Sequence, residues 1–99
     1  MTGCGAPSQE LIAVDPGSGA VIQGRVVRDG SPVGGAYVRL LDAGGEFTAE
    51  VVSSGTGGFR FFAVPGEWRV RALAPGGVGE VAVRAVGGQV AEAPVTLAY

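Results

Sequence analysis

The chain has 99 residues, 46% of them apolar and 16% charged, with nineteen glycines, one cysteine and a formal net charge of −2. That is apolar material for a single core, and too much of it for a disordered chain. All seven basic residues are arginine and histidine is absent, which removes the commonest general base and metal ligand and leaves no net pull on nucleic acid.

Residues 1–19, MTGCGAPSQELIAVDPGSG, mix small, polar and turn-forming residues and read as an N-terminal tail, in which LIAV is a candidate edge strand. Cys4 stands between two glycines there. A lone cysteine closes no internal disulfide, no charged stretch followed by an apolar one resembles a signal peptide, and no run reaches membrane-spanning length. The expectation is a cytoplasmic protein without a membrane partner.

Residues 20–99 read as one β-sandwich domain. From Ala20 the apolar residues recur with period two between turn signals, and no segment has a helical period. The expected strands are AVIQGRVVR (20–28), AYVRLLD (36–42), EFTAEVVSS (46–54), FRFFA (59–63), EWRVRAL (67–73), VGEVAVRAV (78–86) and VAEAPVTLA (90–98). The intervening DGSPVGG, AGG, GTGG, VPG, APGG and GGQ are turns. Seven short strands at this spacing predict an all-β fold, a seven-stranded antiparallel sandwich. Alternation places Ile22, Gly24, Val26, Ala36, Val38, Leu40, Ala49, Val51, Phe59, Phe61, Trp68, Val70, Ala72, Val81 and Val83 in the core, and Arg25, Arg39, Glu50, Arg60, Arg69, Arg71 and Arg84 outside.

The order G-x-V, G-x-P-x-x-G-A-x-V, then G-F-x-F-x-x-x-P-G-x-W-x-V resembles the carboxypeptidase-regulatory-like module of the transthyretin-like Greek-key sandwiches. Gly24, Val26, Gly30, Pro32, Gly35, Ala36, Val38, Gly58, Phe59, Phe61, Pro65, Gly66, Trp68 and Val70 fill those slots. Modules of this type imply an accessory or adhesive role. RLLD, EFTAEVV, GFRFFA and WRVRAL, taken with CGA in the tail, are similar to a small actinobacterial family of unknown function that accompanies thiosulfate sulfurtransferases. That likeness implies a companion of sulfur metabolism, with a thiosulfate sulfurtransferase as partner. The chain itself lacks the α/β pattern of a rhodanese. It also lacks the histidines and the C-terminal tetrapeptide of the transthyretin-like hydroxyisourate hydrolases.

Two candidate sites remain, neither of them catalytic. Cys4 in an accessible tail is a candidate sulfur carrier, accepting a persulfide sulfur from a partner, although no Lys or His stands nearby to favour its thiolate. The outward positions Tyr37, Arg39, Phe62, Arg69 and Arg71, with Leu41, Val52 and Leu73 beside them, combine the arginine and aromatic residues favoured at interfaces. They form a candidate partner-binding face for a sulfurtransferase or for a second copy in a homo-oligomer. Asp15, Asp29 and Asp42 stand beside glycine or proline and read as turn residues. The glycine runs lack the helix and lysine of a phosphate loop, so neither a metal nor a cofactor is expected. A ligand-binding sandwich, for carbohydrate for example, ranks last because Trp68 is expected inside.

Overall fold

A computed structural model of the chain describes Ser8–Gln9 and residues 19–98. The strands are β1 (Ser8–Gln9), β2 (Ala20–Arg28), β3 (Ser31–Pro32), β4 (Tyr37–Asp42), β5 (Phe47–Ser53), β6 (Gly58–Ala63), β7 (Gly66–Ala74), β8 (Gly77–Ala85), β9 (Val90–Glu92) and β10 (Val95–Thr96). One sheet runs in the order β1-β5-β4-β7-β8. The other is built on β2, with β6 and β3 along one edge and β9 and β10 along the other. The two sheets face each other as an all-β sandwich, and six of the seven expected strands recur within a residue of their expected limits.

Alternation explains the core. Ile22 and Val26 from one sheet, and Val38, Leu40, Val70 and Ala72 from the other, are 0–1% exposed. Phe59 and Phe61 lie between them with ring centroids 6.0 Å apart and planes tilted by 53°. Each such side chain taken out of water contributes on the order of 1.5–3 kcal/mol. Trp68, Ala49, Val81 and Val83 pack at the rim of the same cluster.

The last expected strand differs in two ways. It is broken at Ala93–Pro94 into β9 and β10, and both pieces run parallel to β2 (Val21↔Val90, Val95↔Val26). Proline has no N–H for a ladder, so the break falls where the residue type requires it. Between the two pieces the chain dips toward the core: the Ala93 N–H donates to the Gln23 carbonyl at 2.7 Å, and a Cβ on Gly24 would overlap the Ala93 carbonyl. Opposite, a Cβ on Gly79 would overlap the carbonyl of Thr96. Two glycines, one from each sheet, thus leave the width of a side chain for the backbone of residues 93–96.

The expected turn at DGSPVGG also carries structure. Asp29 and Gly30, with φ of 52° and 79°, form a two-residue turn between β2 and β3 (Arg28↔Ser31). Two successive positive φ values match the twist of a tight hairpin.

Candidate partner-binding face

The register of β5, β4, β7 and β8 arranges the outward side chains of one sheet in rows. The first row is Val52, Tyr37, Leu73 and Val78; the second is Glu50, Arg39, Arg71 and Glu80; the third contains Leu41, Arg69 and Ala82. Because β4 is flanked by β5 and β7, each of its residues from Tyr37 to Leu41 has a neighbour on both sides. A register shift between Leu40 and Leu41 places Phe47 opposite Leu41.

Tyr37 is 54% exposed and Phe47 61%. Between these apolar ends lies the charged row. The Arg39 Nε donates to Glu50 Oε2 at 2.8 Å. Glu80 is shared, with Oε2 3.6 Å from Arg69 Nη1 and Oε1 3.7 Å from Arg71 Nε. One carboxylate therefore holds two guanidinium groups, while Arg39 and Arg71, directly opposite each other, are like charges held apart by their outer partners. A flat face of this kind, charged through the middle with Tyr at one end, can hold a protein surface by stacking and by bidentate hydrogen bonds. It has no recess for a small molecule, and no cavity opens among the described residues.

Four of the five expected contact residues, Tyr37, Arg39, Arg69 and Arg71, meet on this face. Phe62 does not. It belongs to β6, opposite Val21 on the other sheet, and is 69% exposed on the far side of the molecule. Alternation correctly turned Phe62 outward, but the two sheets of a sandwich have opposite outer faces. Glu80 was missed as the anchor of Arg69 and Arg71, although it alternates with Val81 and Val83. Cys4, Asp15 and LIAV lie outside the described residues, whereas Ser8–Gln9 pair in parallel with Val52–Ser53 of β5.

The GTGG stretch is a structural corner. Ser53 and Ser54 are 2% and 0% exposed. The Ser53 hydroxyl accepts from the Ala36 N–H at 2.9 Å and donates to the Val33 carbonyl at 2.8 Å. The Ser54 hydroxyl accepts from the Gly58 N–H at 3.1 Å. Gly57 has a φ of 83°, and its carbonyl accepts from Val26 N–H at 2.8 Å. These bonds satisfy the buried backbone N–H groups of Ser53, Ser54, Gly57 and Gly58 where the chain crosses from one sheet to the other. The Asp42 carboxylate is spent in the same way, accepting at 2.9 Å from the N–H groups of Gly44 and Glu46. Among the described residues there is no cluster of three His, Cys, Asp or Glu side chains, and no helix long and apolar enough to cross a membrane.

Comparison with known proteins fixes the family. The family described as "Protein of unknown function (DUF1416)" matches residues 4–97. The chain belongs to this DUF1416 family. Uncharacterized proteins Rv0814c and Rv3118 of Mycobacterium tuberculosis are each 51% identical to it over 98 residues, covering 95% of this chain and 98% of theirs. An uncharacterized protein of Mycolicibacterium smegmatis is 56% identical over 86 residues, covering 86% of this chain and 96% of its own.

Among solved structures, this DUF1416 protein is similar to GBS52, the minor pilin of Streptococcus agalactiae, with a TM-score of 0.67 at 14% identity, covering 81% of this chain and 44% of that one. Catechol 1,2-dioxygenase from Pseudomonas arvilla C-1 gives a TM-score of 0.66 at 13% identity, covering 98% and 59%. The chain spans about half the length of these two structures. At such identities the likeness is one of fold.

Proposed function

We propose that this DUF1416 protein is a non-enzymatic binding module that docks a partner protein through the outer face of β4 and β7. The observation that carries the reading is the side-by-side placement of exposed Tyr37 with the row of Glu50, Arg39, Arg71 and Glu80. Tyrosine and arginine dominate binding hot spots because they bring large contact area and directed hydrogen bonds at modest entropic cost. The absence of histidine from the chain supports a binding role over a hydrolytic one. The partner we propose is a thiosulfate sulfurtransferase, on the strength of the likeness carried by RLLD, EFTAEVV, GFRFFA and WRVRAL.

The test is titration of the purified protein against that enzyme by calorimetry, with Tyr37→Ala and Phe62→Ala alongside. Tyr37→Ala is expected to weaken binding about thirtyfold, the effect of a 2 kcal/mol hot spot. Phe62→Ala, on the opposite sheet, is expected to bind like the parent. No heat of binding with the parent chain would refute the choice of partner. Weakening by Phe62→Ala in place of Tyr37→Ala would refute the choice of face.

A further inference from the structure

The free edge of β8 has a feature that the docking face does not use. Strand β8 is the last in its sheet. Its nine residues pair with β7 from Gly77 to Ala85 without a register shift. On the other side, among the described residues, it is bridged only at Val78, which exchanges both backbone hydrogen bonds with Ala98 at 2.9 Å. Beyond that bridge the edge is open, and Glu80, Ala82 and Arg84 are exposed.

The bridge also shows which backbone groups the open edge presents. The N–H and C=O of Val78 point away from β7, toward Ala98. Strand backbone alternates with period two, so those of Glu80, Ala82 and Arg84 point the same way. Among the described residues nothing pairs with this row of donors and acceptors, and no proline or bulge blunts it.

The side chains on this edge are symmetric about Ala82. Reading outward from it, Val81 matches Val83 and Glu80 is matched by Arg84, a residue of opposite charge. Edges guarded against pairing usually carry charge of one sign, which repels an identical edge. Here the two charges are placed to attract one.

We propose that β8 pairs with β8 of a second copy of this chain, antiparallel, with the two Ala82 residues opposite each other on the twofold axis. In that register Ala82 exchanges both backbone bonds with its counterpart, and Glu80 exchanges both with the second copy's Arg84. Val81 and Val83, half-buried at the rim of the core, each cover the other's counterpart and join the two cores. Glu80, already 3.7 Å from Arg71, gains the second copy's Arg84 on its open side. Arg84 keeps Glu67 at 2.7 Å. The charges then alternate across the seam as Arg71, Glu80, and the second copy's Arg84 and Glu67. The ladder stops at Glu80 because Ala98 occupies the lane beside Val78, so the dimer is small and depends on concentration. The two five-stranded sheets become one continuous sheet, with both docking faces on the same side. This assembly is independent of the partner proposed above.

The experiment is sedimentation equilibrium over a range of concentrations, with circular dichroism and thermal melts to confirm folding. The parent chain is expected to double its mass as concentration rises to about 1 mM, which captures even a weak association. Ala82→Pro removes an N–H that makes no bond among the described residues, so it is expected to leave a folded monomer. Glu80→Arg and Arg84→Glu place like charges across the axis, and each alone is expected to be monomeric. An equimolar mixture of the two restores both opposite-charge pairs and is expected to give a heterodimer, which decides the matter even if Ala82→Pro fails to fold. Amide exchange adds a check of register: dimerisation should slow residues 80, 82 and 84, leaving 81 and 83, already bonded to β7, unchanged. A parent chain that stays monomeric, a mixture that does not associate, or a dimer with fast exchange at residues 80, 82 and 84 would each overturn the proposal.

Discussion

Replacing Ser53 with alanine tests whether the corner between β5 and β6 is held by a side chain or merely occupied by one. The Ser53 hydroxyl is the acceptor for the Ala36 N–H at 2.9 Å, and Ala36 is fully buried. Removing that oxygen strands a buried donor, at a cost of about 1–3 kcal/mol. The Val33 carbonyl loses its 2.8 Å donor as well, but Val33 is only half-buried, and water reaching that oxygen reduces the second loss. Together the two give about 2–4 kcal/mol, a large share of the roughly 5–15 kcal/mol total stability of a domain. For a chain of this size that corresponds to a fall in melting temperature of about 10–25 °C. Trp68 is the sole tryptophan and sits at the rim of the core, so its fluorescence in a urea titration reports the change. Thr56→Ala is the control. It removes an exposed residue whose hydroxyl, among the described residues, meets only the Ser54 hydroxyl at 3.1 Å, and is expected to stay within about 0.5 kcal/mol of the parent. A Ser53→Ala chain equally close to the parent would show that water or a small backbone shift replaces the hydroxyl, and the account of the corner would be wrong.

Two further outcomes follow from the packing. Gly24→Ala forces a Cβ into the Ala93 carbonyl and is expected to destabilise by about 1–3 kcal/mol or more, read from the same urea titration, with the loss concentrated in the pairing of β9 to β2. A double-mutant cycle on Arg39 and Glu50, whose side chains are 47% and 26% exposed, is expected to give a coupling below about 1 kcal/mol. A larger value would make that pair a structural clamp and weaken the case that Arg39 is free to engage a partner.

Strand limits and the core were legible because they depend on local alternation. Ile22, Val26, Val38, Leu40, Phe59 and Val70 announce themselves by period two, and the structure buries each of them. Sheet membership was not legible in the same way. Phe62 and Tyr37 both alternate outward, but which sheet a strand joins depends on pairings with distant residues that no local pattern records. Alternation also fails at the start of β2, where Ala20, Val21 and Ile22 are all buried, because that stretch is covered on both of its faces. The direction of the last strand escaped for a similar reason. A hydrophobic alternation reads the same in a parallel as in an antiparallel ladder, and only the close approach at Gly24 and Gly79 betrays the path. Ser53 and Ser54 read in sequence only as the end of a strand, and the burial of Ser53 in a hydrogen-bonded corner depends on Ala36 and Val33, far along the chain.

The parallel lane beside β2 has a consequence in time. β2 finds β6 within a few dozen residues, but its other edge waits for a strand 69 positions further on, the separation of Gln23 from Glu92. Contacts that span most of a chain form late, because the loop entropy must be overcome before they return anything. Until β9 and β10 dock, the apolar edge formed by Val21, Ile22 and Val26 is an open template for any other extended chain. Protein that aggregates while refolding should therefore do so through β2, and a synthetic peptide matching residues 90–98 should suppress it by occupying that lane early.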